Sequence, residues 1–485
     1  MKFKNKILSS VFLLVAISGV SCKKYLDINT NPLASTKVDP KLLFGYAVTA
    51  WDVSKNSGDE YMAVGFMSQA LSTGGDFSQN WGASNLYNLS PNFLGNTWKT
   101  YFSNGGNNLQ QAIAIAQASN PVNNNAAAQC KIVLAQLIYE ATTLYGDVPY
   151  SQAWQPDKFP YPKYDSQKDV LESLLKLLDE AIAQIDPTSA LKIADYDIYY
   201  AGDMAKWKRL ANSIKFKILM VMVDKDPTKA AAIGTLLSSD GTMLASTAET
   251  WLTKYSGASN NENPKYRLFL GENPFTYGAK VTVDLMNATN DPRLPQYFDL
   301  PDGQTTYIGV PANVDADEKT AIISNYLYRK DAPSVIISYQ ELELLRAEAY
   351  ARGLGVPVNM AKAEELFKQG VKDAMTFYQA DATAVATYVS DPTKLPDLTK
   401  ISATEAVRQI HLQQWIDLMD RPLEAFVQWR RSGPDGSEVP TLTLPKDATP
   451  GPLIRRYTLS PDETAANPNI PNPQPRYFDK VWFDL

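Results

Sequence analysis

Apolar residues recur at helical spacing along most of this 485-residue chain, most clearly over residues 337–378. Tyr339, Leu342, Leu345 and Ala349 form one stripe in a Leu-, Ala- and Glu-rich stretch that closes at Arg352. Gly353 supplies the positive φ of a helix end, Pro357 blocks continuation, and Asn359 offers an N-cap. The second arm carries Ala363, Leu366, Phe367, Gly370, Val371, Ala374, Met375 and Tyr378 at i, i+3, i+4, i+7 spacing. Arm, turn and arm together have the length of a tetratricopeptide unit, about 34 residues. A single hairpin cannot bury such a stripe, so neighbouring hairpins are expected.

The same pattern predicts helices elsewhere. Residues 40–71 read as one or two, interrupted near Ser57 and Gly58. Residues 109–118 and 126–145 form a pair, the second apolar nearly all round and therefore deep. Val170, Leu174, Leu178 and Ile182 mark an amphipathic helix over 166–185, and Asp203 caps the next. That helix sets Trp207, Leu210, Ile214 and Ile218 on one side, with Lys206, Lys208, Arg209, Lys215 and Lys217 as a solvated face. Residues 228–237 pair with it. Ser402 and Glu405 read as a capping box for a long helix that Pro422 kinks or restarts. Two regions lose the period. Residues 72–106 read as loops around a short helix, and residues 238–335 as a loop-rich layer with short strands near 280–283 and 322–329. The Pro-rich tail over 432–485 ends in apolar residues that pin it down. The fold class expected is all-α: a tetratricopeptide-like stack of helical hairpins with loop-rich, mostly irregular insertions.

Charge and composition narrow the function. The formal net charge is −6, and loss of Lys2, Lys4 and Lys6 with a leader takes it to −9. That balance argues against nucleic acid as a partner. One histidine, His411, and two cysteines leave almost nothing for a metal or nucleophile site, so no cofactor and no metal is expected. His411 and Cys130 read as buried structural residues, and Trp207 and Trp415 as core. Aromatics are abundant (26 Tyr, 17 Phe, 9 Trp), enough to furnish a binding surface.

The first 21 residues combine a basic start with an apolar run over 7–17 and small residues Gly19 and Ser21 before Cys22, a secretory signal. A cysteine at that place resembles a bacterial lipobox, with Gly19 where Leu is usual, so Cys22 is the expected lipid attachment and membrane tether.

Several stretches in order then resemble one family, the SusD/RagB-type nutrient-binding lipoproteins of the Bacteroidota outer membrane. They are Tyr25-Leu26-Asp27 with Asn31-Pro32, the run from Leu144 to Ala153 (LYGDVPYSQA), Lys206 to Ile214 (KWKRLANSI), Tyr339 to Ala349 (YQELELLRAEA), Gln414-Trp415 with Trp429 to Gly433 (WRRSG), Arg455-Arg456-Tyr457, and Val481-Trp482-Phe483. The resemblance implies a signal peptide over 1–21 and one domain over 22–485. Its helical scaffold would occupy about 40–237 and 336–431, its insert about 238–335, and its tail 432–485. It also implies a lipid-anchored protein on the cell exterior. That protein takes up glycan and passes it to a SusC-like TonB-dependent outer-membrane transporter.

A sugar site sets aromatic faces against ring C–H groups, with amides and carboxylates on the hydroxyls. Asp76, Asn80, Trp81, Tyr87 and Trp98 supply that mixture in the first loop region, and Trp251, Tyr255 and Tyr277 in the second. The plain alternative for each is a cap on a hydrophobic edge beneath a long loop. Peptide stays open as the ligand class, as does a lid or scaffold for the transporter with no ligand of its own. An enzyme is not expected. With 52 acidic residues, carboxylate pairs for a glycoside hydrolase are uninformative, and no nucleophile elbow, metal motif or phosphate loop is present.

Overall fold

Local capping chemistry decides where the helices begin. Side chains of Asn123, Ser166, Asp203, Ser338, Asn359 and Ser402 each accept a backbone N–H from the first turn that follows. Glu405, the acid of the expected capping box, instead turns outward to Gln409 and Arg408. The computed structural model describes residues 38–73, 81–239, 241–269, 276–312, 314–432, 438–445, 448 and 451–485. Pro40–Leu485 forms one compact unit.

Helices α1 (Pro40–Ser57) and α2 (Asp59–Met67) part at Gly58. After β1 (Leu71–Thr73) come α3 (Pro91–Lys99), α4 (Asn108–Ala118), α5 (Asn124–Tyr145), α6 (Gln167–Gln184), α7 (Met204–Met222) and α8 (Ala230–Leu237). Each from α5 to α8 packs on the one before it. Helix α5 is buried on every face, as its unbroken apolar run requires. Cys130 lies inside it as a buried free thiol, and burial raises its pKa far above the usual range.

The expected hairpin is α12 (Tyr339–Arg352) and α13 (Met360–Phe377). Gly353 closes the first arm at φ 70°, and every residue of the predicted second stripe is buried. Helix α15 (Ala403–Asp417) packs on α12, and α16 (Pro422–Arg431) restarts at Pro422. Trp207 and Trp415 are wholly buried.

The insert leaves and re-enters the scaffold through an antiparallel ribbon, β2 (Trp251–Thr253) against β6 (Ser334–Ile337), with Trp251 opposite Ile337. Beyond it lie α9 (Pro264–Phe269), β3 (Thr276–Gly278), α10 (Lys280–Thr289), α11 (Leu294–Tyr297), β4 (Phe298–Asp299) and β5 (Ile322–Ile323). A small sheet runs in the order β1-β3-β5-β4, all antiparallel. Helix α14 (Ala382–Ser390) follows α13, and α17 (Pro461–Ala466) lies in the tail.

Three expectations are corrected. The β-branched run at 280–283 is the first turn of α10, not a strand. Val283 and Met286 bury at helical spacing, and Thr282 Oγ1 accepts the Trp415 indole N–H at 3.0 Å, so tertiary contact overrides local preference. Residues 91–107 are helical rather than looped. Ser90 caps α3, and a π segment over Thr100–Asn107 runs straight into α4. Gly106 permits it, since a Cβ there would meet the Trp154 ring at 2.3 Å. Lys217, finally, is not on a solvated face. It is buried between Glu341 at 2.8 Å and Glu424 at 2.7 Å.

The collinear sequence motifs turn out to be one another's partners. Glu348 accepts Arg431 at 2.7 Å, and Arg430 donates to the carbonyls of Thr143 and Arg455 at 2.8 Å. The Tyr457 N–H donates to Leu144 O at 2.9 Å. His411 is buried beside Glu348, Gln414 and Gln428, and burial pushes its pKa down to about 4.

Candidate functional site

Trp81 opens a 3₁₀ turn (Trp81–Leu86) a few residues beyond β1. Its indole is half-buried on an apolar cluster formed by Tyr61, Met62 and Phe66 of α2 with residues of the insert. Two contacts fix the ring and a third fixes its carboxylate partner. It stacks on Phe93 of α3 at 6.2 Å and 28°, its N–H donates to Asp59 Oδ1 at 2.6 Å, and the exposed Asn96 amide donates to Asp59 Oδ2 at 2.7 Å. An indole face, a carboxylate and an amide thus stand together at the surface.

The small sheet presents a second group. Ser72, Tyr277, Ile322 and Asp299 stand opposite one another across the four strands, so their side chains share one face. Leu71, Ile323 and Phe298 fall on the other face, in the cluster under Trp81. Asp299 accepts the backbone and amide N–H groups of Asn325 at 2.8 Å, and Asn325 accepts the Tyr328 hydroxyl at 2.9 Å. Tyr307, Tyr326 and Tyr328 lie half-buried on the rim of the same cluster. Burial raises the pKa of Tyr277, Tyr307, Tyr326 and Tyr328, so their hydroxyls remain donors at neutral pH.

The residues singled out by sequence separate into three groups. Trp81 stands in the first surface group and Tyr277 in the second, on the sheet face turned away from the cluster under Trp81. Tyr87, Trp98, Trp251 and Tyr255 serve the framework. Tyr87 is buried against Tyr477 at φ 60°. Trp98 sits half-buried between Phe102 at 4.3 Å and Tyr145 at 5.0 Å. Trp251 is wholly buried among Trp51, Tyr199 and Trp207, so it does not face a ligand. The Tyr255 hydroxyl bonds Asp52. Cys22, Asp76 and Asn80 lie outside the described residues. Sequence reasoning missed Asp59, Phe93 and Asn96 as a unit, and Asp299, Asn325 and Tyr328. Their spacing along the chain carries no signal, because only the fold brings them together.

Among the described residues no group of His, Cys, Asp and Glu is placed to hold a metal ion, and no helix is long and apolar enough to cross a membrane.

Residues 36–456 match the model of a family called SusD-like and described as starch-binding, associating with the outer membrane. Solved structures share the fold. One described as a chitin-binding protein is 22% identical, spans 92% of this chain and 100% of its own, and has a TM-score of 0.77. A chitin-binding SusD homologue from Flavobacterium johnsoniae is 19% identical over 92% and 97%, at 0.75. A SusD homologue from Bacteroides uniformis is 20% identical over 91% and 99%, at 0.74. No curated protein matches the chain.

Proposed function

The chain belongs to the SusD-like family, and from that premise we propose that it captures glycan at the cell surface and hands it to a SusC-like TonB-dependent outer-membrane transporter. Two relatives of the same fold are described as chitin-binding, and the family as starch-binding, which supports a sugar as ligand. The observation that carries the reading is the Trp81 ring, half-exposed and locked by Phe93 and Asp59 with the Asn96 amide alongside. A pyranose lays its C–H face on the indole while its hydroxyls reach Asp59 and Asn96. Because the ring is already fixed, little ordering cost opposes binding. Tyr277 and the Asp299–Asn325–Tyr328 chain offer a further aromatic and polar surface on the outer face of the small sheet.

Cys22 carries the lipid that holds the protein at the outer membrane. Mass spectrometry of the mature chain should find acylated Cys22 as its first residue; a bare cysteine there would sink the tether. Calorimetry with starch-derived and chitin-derived hexasaccharides tests capture. Trp81→Ala should weaken binding of the preferred sugar at least tenfold, about 1.4 kcal/mol, with the melting temperature little changed. Undiminished affinity in that variant, or binding of peptides in place of both sugars, would overturn the proposal.

A further inference from the structure

A cavity of about 240 Å³ lies where the α1–α2 junction, the segment entering β6, the end of α13 and the α15–α16 joint converge. None of the candidate ligand-binding residues read from the sequence lines it. Its inner wall is buried: Glu60, Tyr61, Arg421 and Glu424 are each at most 6% exposed. Its mouth carries the half-buried Tyr326 and Phe377 and the exposed Gln379. Gln379 holds φ 58°, a left-handed conformation that a residue with a side chain adopts only when its surroundings impose it.

The charges of this wall are held from behind. Lys55 donates to Glu140 at 2.9 Å, Glu60 accepts the Tyr101 hydroxyl at 2.7 Å, and Glu424 takes Lys217 at 2.7 Å. Arg421 is clamped by Asp417 at 2.7 Å and by Glu341, while Asp420 takes the Tyr61 hydroxyl at 2.7 Å and Lys265. Each ion around the space already has its partner: Arg329 meets Asp331 at 3.1 Å, and the others are paired as above, while Glu60 is held by the Tyr101 hydroxyl.

The geometry points to a second sugar site here, an enclosed pocket that takes one uncharged pyranose unit, a free monosaccharide or the terminal ring of a chain. Because those ions are already paired, a free anion or cation gains little here, whereas a ring with several hydroxyls can both donate to the carboxyls and accept from the cationic side chains that line the space. Tyrosine and phenylalanine side chains supply the apolar faces that ring C–H groups require. The volume falls below the roughly 300–1,000 Å³ of clefts for drug-sized ligands, which limits the occupant to about one ring. Glu60, kept protonated near neutral pH by burial and by Glu140, adds a further donor. The choice of ligand class rests on the glycan reading above; the site does not, since Trp81, Asp59, Phe93 and Asn96 are not among the residues that line it.

Calorimetry and ligand-observed NMR with glucose and with N-acetylglucosamine, on the full-length chain in detergent, test the pocket. Val335 lines the cavity half-exposed on β6, so Val335→Phe fills the space with a residue that strands accept. One of the two monosaccharides should bind with Kd on the order of 1 mM. Val335→Phe and Tyr326→Ala should each weaken it at least tenfold with the melting temperature preserved, and Trp81→Ala should leave it unchanged. The pocket is refuted if neither monosaccharide binds, or if Val335→Phe binds as the parent does. Hexasaccharide binding that depends on Trp81, without any monosaccharide binding, removes the pocket and leaves the glycan reading standing. Silence towards sugars of every length removes both.

Discussion

Burying a carboxyl that no single cation neutralises is among the costliest choices a core can make, and Glu60 is such a group. Burial, and then the nearby Glu140, push its pKa from the ordinary 4.5 up to about 8. Across that window the unfolded chain has lost a proton that the folded chain still holds. Its contribution to stability therefore falls as pH rises from about 4.5 to about 8, and levels off above. Glu60→Gln removes the titration while keeping an oxygen for the Tyr101 hydroxyl. It should match the parent near pH 4 and exceed it in stability at pH 8. Urea unfolding across that range checks the sign; parallel profiles for the two proteins would contradict it. At this scale the sequence was a poor guide to roles. Trp81 and Trp251 look alike along the chain, each an aromatic in a region without helical period. One is half-exposed beside a carboxylate and an amide, and the other lies at 0% exposure between Trp51 and Tyr199. Exposure is a property of the neighbours, and those neighbours come from distant segments.

Secondary-structure elements were more legible where their signals are local. The α12–α13 hairpin followed from stripe, cap and breaker alone, because each acts within four residues of itself. The turn between the arms adds a demand that no local pattern announces. Gly355 stands at φ 70°, and a Cβ there would meet the Ala230 carbonyl oxygen at 1.8 Å, with the Gly234 backbone beside it. The hairpin turn and α8 thus touch through backbone, and neither can yield to a side chain. Gly355→Ala should cost at least about 1–2 kcal/mol from handedness alone, with the clash adding to it. Thermal unfolding at unchanged ligand affinity is the readout; a melting temperature within error of the parent would show that α8 moves aside. The strand expected at 280–283 failed for the opposite reason. Three residues of β-branched character are a weak preference, and the buried Thr282–Trp415 hydrogen bond and Val283 contacts outweigh it. The π segment at Thr100–Asn107 was hidden behind Gly and Asn residues that ordinarily break helices.

The whole chain is closed by its own end. Phe483 is completely buried and its N–H donates to Gln167 at 3.1 Å, while Asp484 pairs with Arg455 at 3.0 Å. Arg430, reaching Thr143 and Arg455, also lies over the Phe483 ring at 4.9 Å. Ending the chain after Lys480 should therefore cost on the order of 3–5 kcal/mol, the usual loss for an emptied aromatic site. Denaturant titration of the shortened chain would show it; an unaltered midpoint would mean the tail is ornamental to folding. These same pairings explain why the quoted motifs are spread along the sequence yet read as a set. Glu348 with Arg431, Lys217 with Glu341 and Glu424, and Tyr457 with Leu144 are charges and helix-end backbone groups that are tolerable in a core only when matched.

By itself the sequence determined the helices, their caps, the hairpin frame and the family, because periodicity and capping act within a few residues and motif order survives along the chain. The tertiary structure alone decided which aromatics face outward. It also decided that Asp59, Phe93 and Asn96 hold Trp81, and that a cavity lined by paired charges opens where α2, α13 and α16 meet. Those arrangements join segments tens to hundreds of residues apart, and no local rule of spacing can express them.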